Sequence, residues 1–271
     1  MDLEDTRPPR SPIRAAVLIG TFLGLTLPLM PVQWALLRVS PRLARKLPNW
    51  YHRAVCRIIG VRLRIQGQVA RDRPVLLASN HVSWLDITVL SAVAPVSFVA
   101  KKEVSSWPFA GTLARLQRTV FVDRERRTSV GVTANEIADR LRTGDAIVLF
   151  AEGTTSDGNR VLPFRSSLFS VMRPIRPDEE GQGPEPVVQP LSLAYTRRNG
   201  IPLTWADRRA LGYLGDVGIG ESAWGLLTGG PIEVTITIGP PRPLSDFSDR
   251  KALARHAESE VRAGVIAALR G

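Results

Sequence analysis

The chain has 271 residues, 44% hydrophobic and 23% charged, which is enough apolar material for one large α/β domain or two small ones and too much for a disordered chain. Its lone cysteine, Cys56, excludes a disulfide framework, and the soft ligands Cys56, His52, His81 and His256 are too scattered for a structural zinc site. The net charge of +11 admits nucleic acid, anionic lipid or a phosphorylated substrate as partner, so the placement of the charge has to decide.

Residues 1–5 carry three acids, whereas Thr6 to Arg71 holds twelve Arg or Lys and not one acid. Residues 72–271 are nearly neutral, with 24 bases and 22 acids. The excess therefore flanks one apolar segment, Ala15–Leu37, 23 residues without charge. As a helix it would measure roughly 34 Å, against about 30 Å of bilayer hydrocarbon. Pro28 and Pro31 predict either a kinked spanning helix or a shallow hairpin. Arg38, Arg42, Arg45, Lys46, Arg53, Arg57, Arg62 and Arg64 follow, interleaved with Trp50 and Tyr51 and preceded by Trp34. Aromatic rings beside a polybasic stretch suit a cytoplasmic membrane face, where each base contributes about 1 kcal/mol near anionic lipid. The run is too long, and too basic behind, for a cleaved signal peptide. It is also long for a core helix, and its bases sit beside apolar rather than polar sequence, which disfavours nucleic acid.

From Val61 onward, short β-type runs alternate with helical stretches. The strands expected are Val61–Ile65, Val75–Ala78, Val96–Ala100, Thr119–Val122, Ala146–Phe150, Val187–Ala194 and Ile232–Ile238. The helices expected are Ser83–Val93, Trp107–Gln117, Ser129–Arg142 and Ser245–Leu269, the last capped by Ser248. Pro177–Pro186 reads as a surface loop. This alternation predicts an α/β fold: a mixed, mostly parallel sheet flanked by helices, behind an N-terminal membrane-associated helical segment.

Three clusters can carry chemistry. The first is Asn80-His81-Val82-Ser83-Trp84-Leu85-Asp86, just past a strand. A carboxylate on one imidazole nitrogen makes the other a general base. Residues five apart do not share a helix face, so the pair requires His81 to precede the helix and fold over its first turn. Ser83 and Asp86 equally form a Ser-x-x-Asp capping box, and the two roles are compatible. A serine hydrolase is disfavoured, since Gly-x-Ser-x-Gly occurs nowhere. The second cluster, Val120 to Arg124, ends a strand with an Arg suited to gripping phosphate, or simply solvated. The third, Phe150-Ala151-Glu152-Gly153-Thr154-Thr155-Ser156-Asp157-Gly158, runs from a strand into a turn rich in hydroxyls and backbone donors. Gly218 to Ala223 matches Gly-x-Gly-x-x-Ala but lacks the preceding strand of a nucleotide site.

Taken in order, these clusters resemble the glycerolipid (lysophospholipid) acyltransferase family, as in 1-acylglycerol-3-phosphate acyltransferases. Asn80-His81 through Asp86 resembles its His, four residues, Asp block, and Phe121-Val122-Asp123-Arg124 its second. The latter's lead-in is matched by Ala100-Lys101-Lys102-Glu103 and Pro108-Phe109-Ala110-Gly111. Phe150 to Thr154 resembles the third block and Val188-Gln189-Pro190-Leu191 the fourth. The resemblance implies acyl transfer without a covalent enzyme intermediate. His81 would deprotonate the acceptor hydroxyl and Asp86 would orient the ring. Arg124 would hold the polar head, while Glu152, Gly153 and Thr154 would bind substrate. Acyl-CoA or acyl-carrier protein would be co-substrate, with no metal or other cofactor. Where the third block usually reads Phe-Pro-Glu-Gly-Thr-Arg, this chain has Ala151 and Thr155 in place of Pro and Arg. The breadth of the family makes 1-acylglycerol 3-phosphate the expected acceptor, in phospholipid biosynthesis; Thr155 and the run to Arg160 make a lyso-ornithine lipid the alternative. The expectation is thus a membrane anchor and basic region over 1–60 and an acyltransferase domain over 61–271. It would act on a membrane lipid at the cytoplasmic face of the inner membrane, against an anionic surface, without nucleic acid. The alternative of another class is a non-catalytic lipid-binding membrane protein.

Overall fold

The chain enters its fold through two helices rather than a strand. In the computed structural model, which describes residues 11–71, 73–122, 136–141, 144–172, 184–213 and 219–271, α1 runs unbroken over Pro12–Val39 and α2 over Pro41–Ile59. Of the two shapes that Pro28 and Pro31 allow, the shallow hairpin is not formed, since both prolines lie inside the one continuous helix α1. The reversal comes instead at Ser40, whose extended backbone (φ −150°) is what a residue before Pro41 favours, and Pro41 starts α2 at a position that needs no N–H. Gly60, at φ 82°, closes α2 in the left-handed conformation.

Beyond it lie β1 (Val61–Gln66), β2 (Val75–Ser79), α3 (Leu85–Val93), β3 (Val96–Lys101), α4 (Ala110–Leu116), β4 (Val120–Val122) and β5 (Ala146–Phe150). They are followed by β6 (Val187–Arg198), β7 (Ile201–Pro202), β8 (Ile232–Ile238), β9 (Arg242–Pro243) and a C-terminal helix, Arg250–Arg270. Among the described residues the strands form one sheet in the order β1-β8-β6-β2-β5-β3-β4, with β7 and β9 on β6. From β6 to β4 every neighbour is parallel; β8 is antiparallel to β6, and β1 is parallel to β8. The mixed, mostly parallel sheet is the one expected. Residues 136–141 are helical, and the rest of the Ser129–Arg142 helix, most of Pro177–Pro186 and Arg124 lie outside the described residues. The C-terminal helix is capped by Asp249 rather than Ser248, because its carboxylate accepts from both Lys251 N and Ala252 N at 2.7 Å. Two short helices that the apolar spacing did not reveal, Trp205–Leu211 and Ile219–Thr228, bridge β7 and β8.

Alternating strand residues divide the core in two. Leu77, Val148, Leu191, Leu193 and Tyr195 face one side, which α2 and α3 cover; Leu76, Ala78, Ile147 and Val188 face the other, covered by the C-terminal helix. Helix α2 is fastened to the end of α3 by polar groups. Asn49 donates to the Ser91 and Ala92 carbonyls at 2.6 and 3.2 Å, and Arg53 to Ala92 at 2.9 Å. A helix C-terminus leaves such carbonyls unpaired and favours a cation nearby, so α3 is held at the end opposite the chemistry.

Candidate active site

Strands β2 and β5 lie side by side and parallel, with Ser79 opposite Phe150, so the loops that leave them meet at one edge of the sheet. On its other side Ser79 pairs with Leu191 of β6. There the β2 backbone departs, and the Asn80 side chain replaces it. Its amide donates to the Leu193 carbonyl and accepts from the Leu193 N–H, both at 2.9 Å. One side chain thus satisfies β6 where the main chain has left, which frees residues 81–84 to turn over the edge.

His81 is set by that turn. Its backbone N–H donates to Glu152 Oε2 at 2.9 Å, and its carbonyl accepts from Ser156 N at 2.7 Å. The ring stacks on Phe150, centroids 3.8 Å apart and planes 13° off parallel, which fixes its plane. Nδ1 lies 2.8 Å from Asp86 Oδ2. A carboxylate only accepts, so the proton sits on Nδ1 and the lone pair on Nε2, which has no hydrogen-bond partner among the described residues. The His81 side chain is 19% exposed and Asp86 is fully buried. The base nitrogen can therefore meet a substrate while its orienting partner cannot meet water.

Asp86 explains why the helix begins at Leu85 instead of Ser83. Its Oδ2 also accepts the N–H groups of Val82 and Ser83, at 2.7 and 2.9 Å, and so holds those residues in a turn ahead of the helix. The reach-back half of a capping box and the His–carboxylate pair coexist on one oxygen. Oδ1 accepts from the Tyr195 hydroxyl at 2.6 Å. All four bonds are accepted, as an ionised carboxylate requires if it is to be buried. Burial and then the Asp86 charge push the Tyr195 phenol well above its ordinary pKa, so it remains a donor.

Glu152 is 1% exposed, and its oxygens accept one backbone N–H each, from His81 and from Leu162 at 2.8 Å. Burial raises its pKa to about 8 against those two bonds, with the Asp86 charge adding to the rise. It therefore ties the third block to the first. Gly153 follows at φ 72°, and Thr154 is exposed beside it. Thr155 donates its hydroxyl to the Tyr213 carbonyl, so at the place where the resemblance expects a cation there is a neutral side chain already engaged. Gly158, at φ 73°, lies where a Cβ would come within 3.1 Å of Val82. Among the described residues, no three His, Cys, Asp or Glu side chains converge as a metal site would need.

His81, Asp86, Glu152, Gly153 and Thr154, named from sequence, thus come together at the ends of β2 and β5. Asn80, Phe150 and Tyr195 complete the arrangement and were missed as functional. The first two stood inside quoted motifs, but the only trace of Tyr195 was its place in the alternation Leu191, Leu193, Tyr195.

Known proteins resemble this chain in sequence and in fold. The family described as Acyltransferase matches residues 60–193. A lyso-ornithine lipid O-acyltransferase of Brucella abortus is 46% identical over 260 residues, covering 96% of each chain. A 1-acyl-sn-glycerol-3-phosphate acyltransferase of Neisseria gonorrhoeae is 31% identical over 201 residues, 73% of each. The crystal structure of the 1-acyl-sn-glycerophosphate acyltransferase of Thermotoga maritima superposes with a TM-score of 0.65 at 20% identity, over 94% of this chain and 96% of that one, and has the same fold. A relative that shares almost half its residues over almost the whole of both chains decides the family: the chain belongs to the acyltransferase family and is an acyltransferase.

Proposed function

We propose that this enzyme moves a fatty acyl group from an acyl thioester, carried by coenzyme A or acyl-carrier protein, to the free hydroxyl of a lyso-ornithine lipid. The observation that carries the chemistry is the oriented His81–Asp86 pair with Nε2 open. Nε2 takes the hydroxyl proton as the acceptor oxygen attacks the thioester carbonyl. The tetrahedral adduct then expels the thiolate, and the imidazolium returns the proton to sulfur, leaving ester and thiol. Such general-base help is worth about 10²–10⁴ in rate. Asp86 stabilises the imidazolium that forms in between. Glu152 keeps His81 in place through its backbone, and Gly153 and Thr154, which follow it in the turn after β5, line the acceptor side; Arg124, outside the described residues, is the cation that the family's second block assigns to the polar head.

The acceptor reading rests on Thr155 together with the 46% identical relative. A phosphomonoester head would miss the charge-assisted bond that an Arg supplies there, about 1.5–3 kcal/mol, whereas an ornithine head carries no phosphate. The assay is acyl transfer in mixed micelles with both acceptors. The expected kcat/KM is at least tenfold higher for lyso-ornithine lipid, and Thr155→Arg narrows that ratio. The opposite ranking would replace the acceptor with 1-acylglycerol 3-phosphate, and transfer to neither would remove lysolipid hydroxyls as the acceptor class.

The membrane partner follows from α1 and α2. On α2, Arg42, Lys46, Trp50, Arg53 and Arg57 are exposed at helical spacing, a basic stripe around one ring that suits the anionic cytoplasmic leaflet of the inner membrane. Helix α1 is attached along its length to the rest of the chain. Ser11 N and Arg14 bond to the Thr228 and Leu227 carbonyls, Thr26 to the Tyr51 hydroxyl at 2.7 Å, and Gln33 to the Leu116 carbonyl at 2.9 Å. A helix lying on its own domain at both ends enters one leaflet instead of crossing two. Residues 1–60 accordingly act as the anchor and 61–271 as the acyltransferase domain.

A further inference from the structure

We infer that Tyr195 is a positioning residue for catalysis: by bonding Asp86 from beneath, it sets how tightly the His81–Asp86 pair holds a proton. This rests on the general-base reading above. Strand β6 places Leu191, Leu193 and Tyr195 on the face covered by α2 and α3, so the phenol rises from the sheet under the start of α3. Its oxygen meets Asp86 Oδ1 at 2.6 Å, while Oδ2 receives the three N–H donors of residues 81–83. The carboxylate is thereby gripped from two sides, and a rotation that exchanged its oxygens would break bonds at both. Tyr195 and Asp86 are buried to 1% and 0% exposure. A hydroxyl in such a place is costly without a partner, and Phe would fill the same volume at no such cost. The oxygen is there for its bonds, to Asp86 and to the Ser83 side chain.

A proton bound by the pair resides on the imidazole or on the carboxylate, 2.8 Å apart. In either arrangement a donor on Oδ1 favours the state that lacks the extra proton, by drawing negative charge from Asp86. Removing that donor raises the proton affinity of the pair. The other titratable groups that face it are Glu152, from the turn after β5, and the Cys56 thiol of α2, which burial holds at about 12; Arg262 of the C-terminal helix acts on Glu152. These are the same in wild type and variant, so the difference between the two reports on Tyr195.

The experiment is the pH dependence of acyl transfer by Tyr195→Phe in the full-length enzyme. The expected result is a kcat about tenfold lower, an acceptor KM within twofold of wild type, and an acid limb of kcat/KM moved up by about one pH unit. Wild-type kcat with an unmoved limb would overturn the inference. So would a loss of activity with the limb in place, which is what loosened packing alone would produce. As a second measurement, 3-fluorotyrosine in place of Tyr195, a stronger donor of the same shape, should move the limb down; a limb that stays put or rises would equally overturn the inference. If Tyr195→Phe does not fold, the fluorinated enzyme alone decides. A wild-type enzyme with no acid limb attributable to His81 would instead fail the general-base reading itself.

Discussion

Helix α1 and the active-site turns both bury polar side chains, but only α1 turns large apolar ones outward. In α1 the buried side chains include Thr26 and Gln33, while Val17, Leu27 and Trp34 face outward, Leu27 at 55% exposure. At the ends of β2 and β5, Asp86 in the first turn of α3 and Glu152 after β5 are buried, and every oxygen they own is bonded. Both regions break the rule that apolar groups go inside, for different reasons. The buried Asp86 carboxylate is stable because donors saturate it, and it orients one imidazole. Exposed apolar surface on α1 is stable only if the solvent there is lipid. The two regions also meet: α2, which follows α1, caps the far end of the helix that carries Asp86.

The largest expected effect breaks the catalytic half alone. His81→Ala should lower kcat by about 10²–10⁴ and leave thermal unfolding and membrane attachment near wild type, because among the described residues the His81 side chain bonds only to Asp86, which keeps its three other donors. Activity within tenfold of wild type would remove His81 as the base. The converse variant breaks the membrane half. Leu27→Asp puts a charge on the outward face of α1, costing about 2.5–3.5 kcal/mol at hydrocarbon depth and less near the headgroups. Partition into anionic vesicles, measured by flotation, should fall by up to two orders of magnitude, while kcat on micellar substrate changes little. Unchanged flotation would mean that α1 does not face lipid.

Local chemistry carried the sequence reading furthest. Alternating apolar runs located β2, β5, β6 and β8 because each strand's burial depends on its own residues, and the five-residue spacing of His81 and Asp86 already demanded a turn ahead of a helix. What stayed hidden depends on strand order. Asn80 matters because β6 lies beside β2, and Tyr195 because the same pairing brings it under Asp86. Pro28 and Pro31 left α1 open between a kinked helix and a hairpin, because a proline's cost within one segment does not decide whether the chain reverses there; the reversal lies at Ser40. The helices Trp205–Leu211 and Ile219–Thr228 are too short to show a period, and the second was dismissed only as a nucleotide site.

A smaller effect sharpens the role of saturation in the turn. Glu152→Gln turns one acceptor into a donor facing the N–H of His81 or Leu162, leaving a buried clash of donors worth about 1–3 kcal/mol. The pH dependence has a definite sign. The folded pKa of Glu152 is raised from 4.5 to about 8, chiefly by burial, so its folded form binds the proton more tightly. Its contribution to stability is complete below pH 4.5, and is lost as pH rises toward about 8. Chemical unfolding of Glu152→Gln should lack this slope, so its deficit relative to wild type narrows from acid to pH 8 and then levels. A deficit constant over that range would mean that Glu152 is not held protonated.

The smallest effect tests why α1 buries an amide. Pro48 lies inside α2 and has no N–H, so the Ala44 carbonyl one turn earlier has no partner in its own helix. Gln33 of α1 supplies one, donating to Ala44 at 2.9 Å and to Leu116, at the end of α4, at the same distance. The amide is thus the counterpart of a proline in the next helix, not a stray polar residue in an apolar run. Gln33→Ala should lower thermal stability in micelles by about 1–3 kcal/mol. Pro48→Ala restores the intrahelical donor, so in that background Gln33→Ala should cost about 1 kcal/mol less. Strictly additive losses would mean that the carbonyl left free by Pro48 is not what holds Gln33 inside.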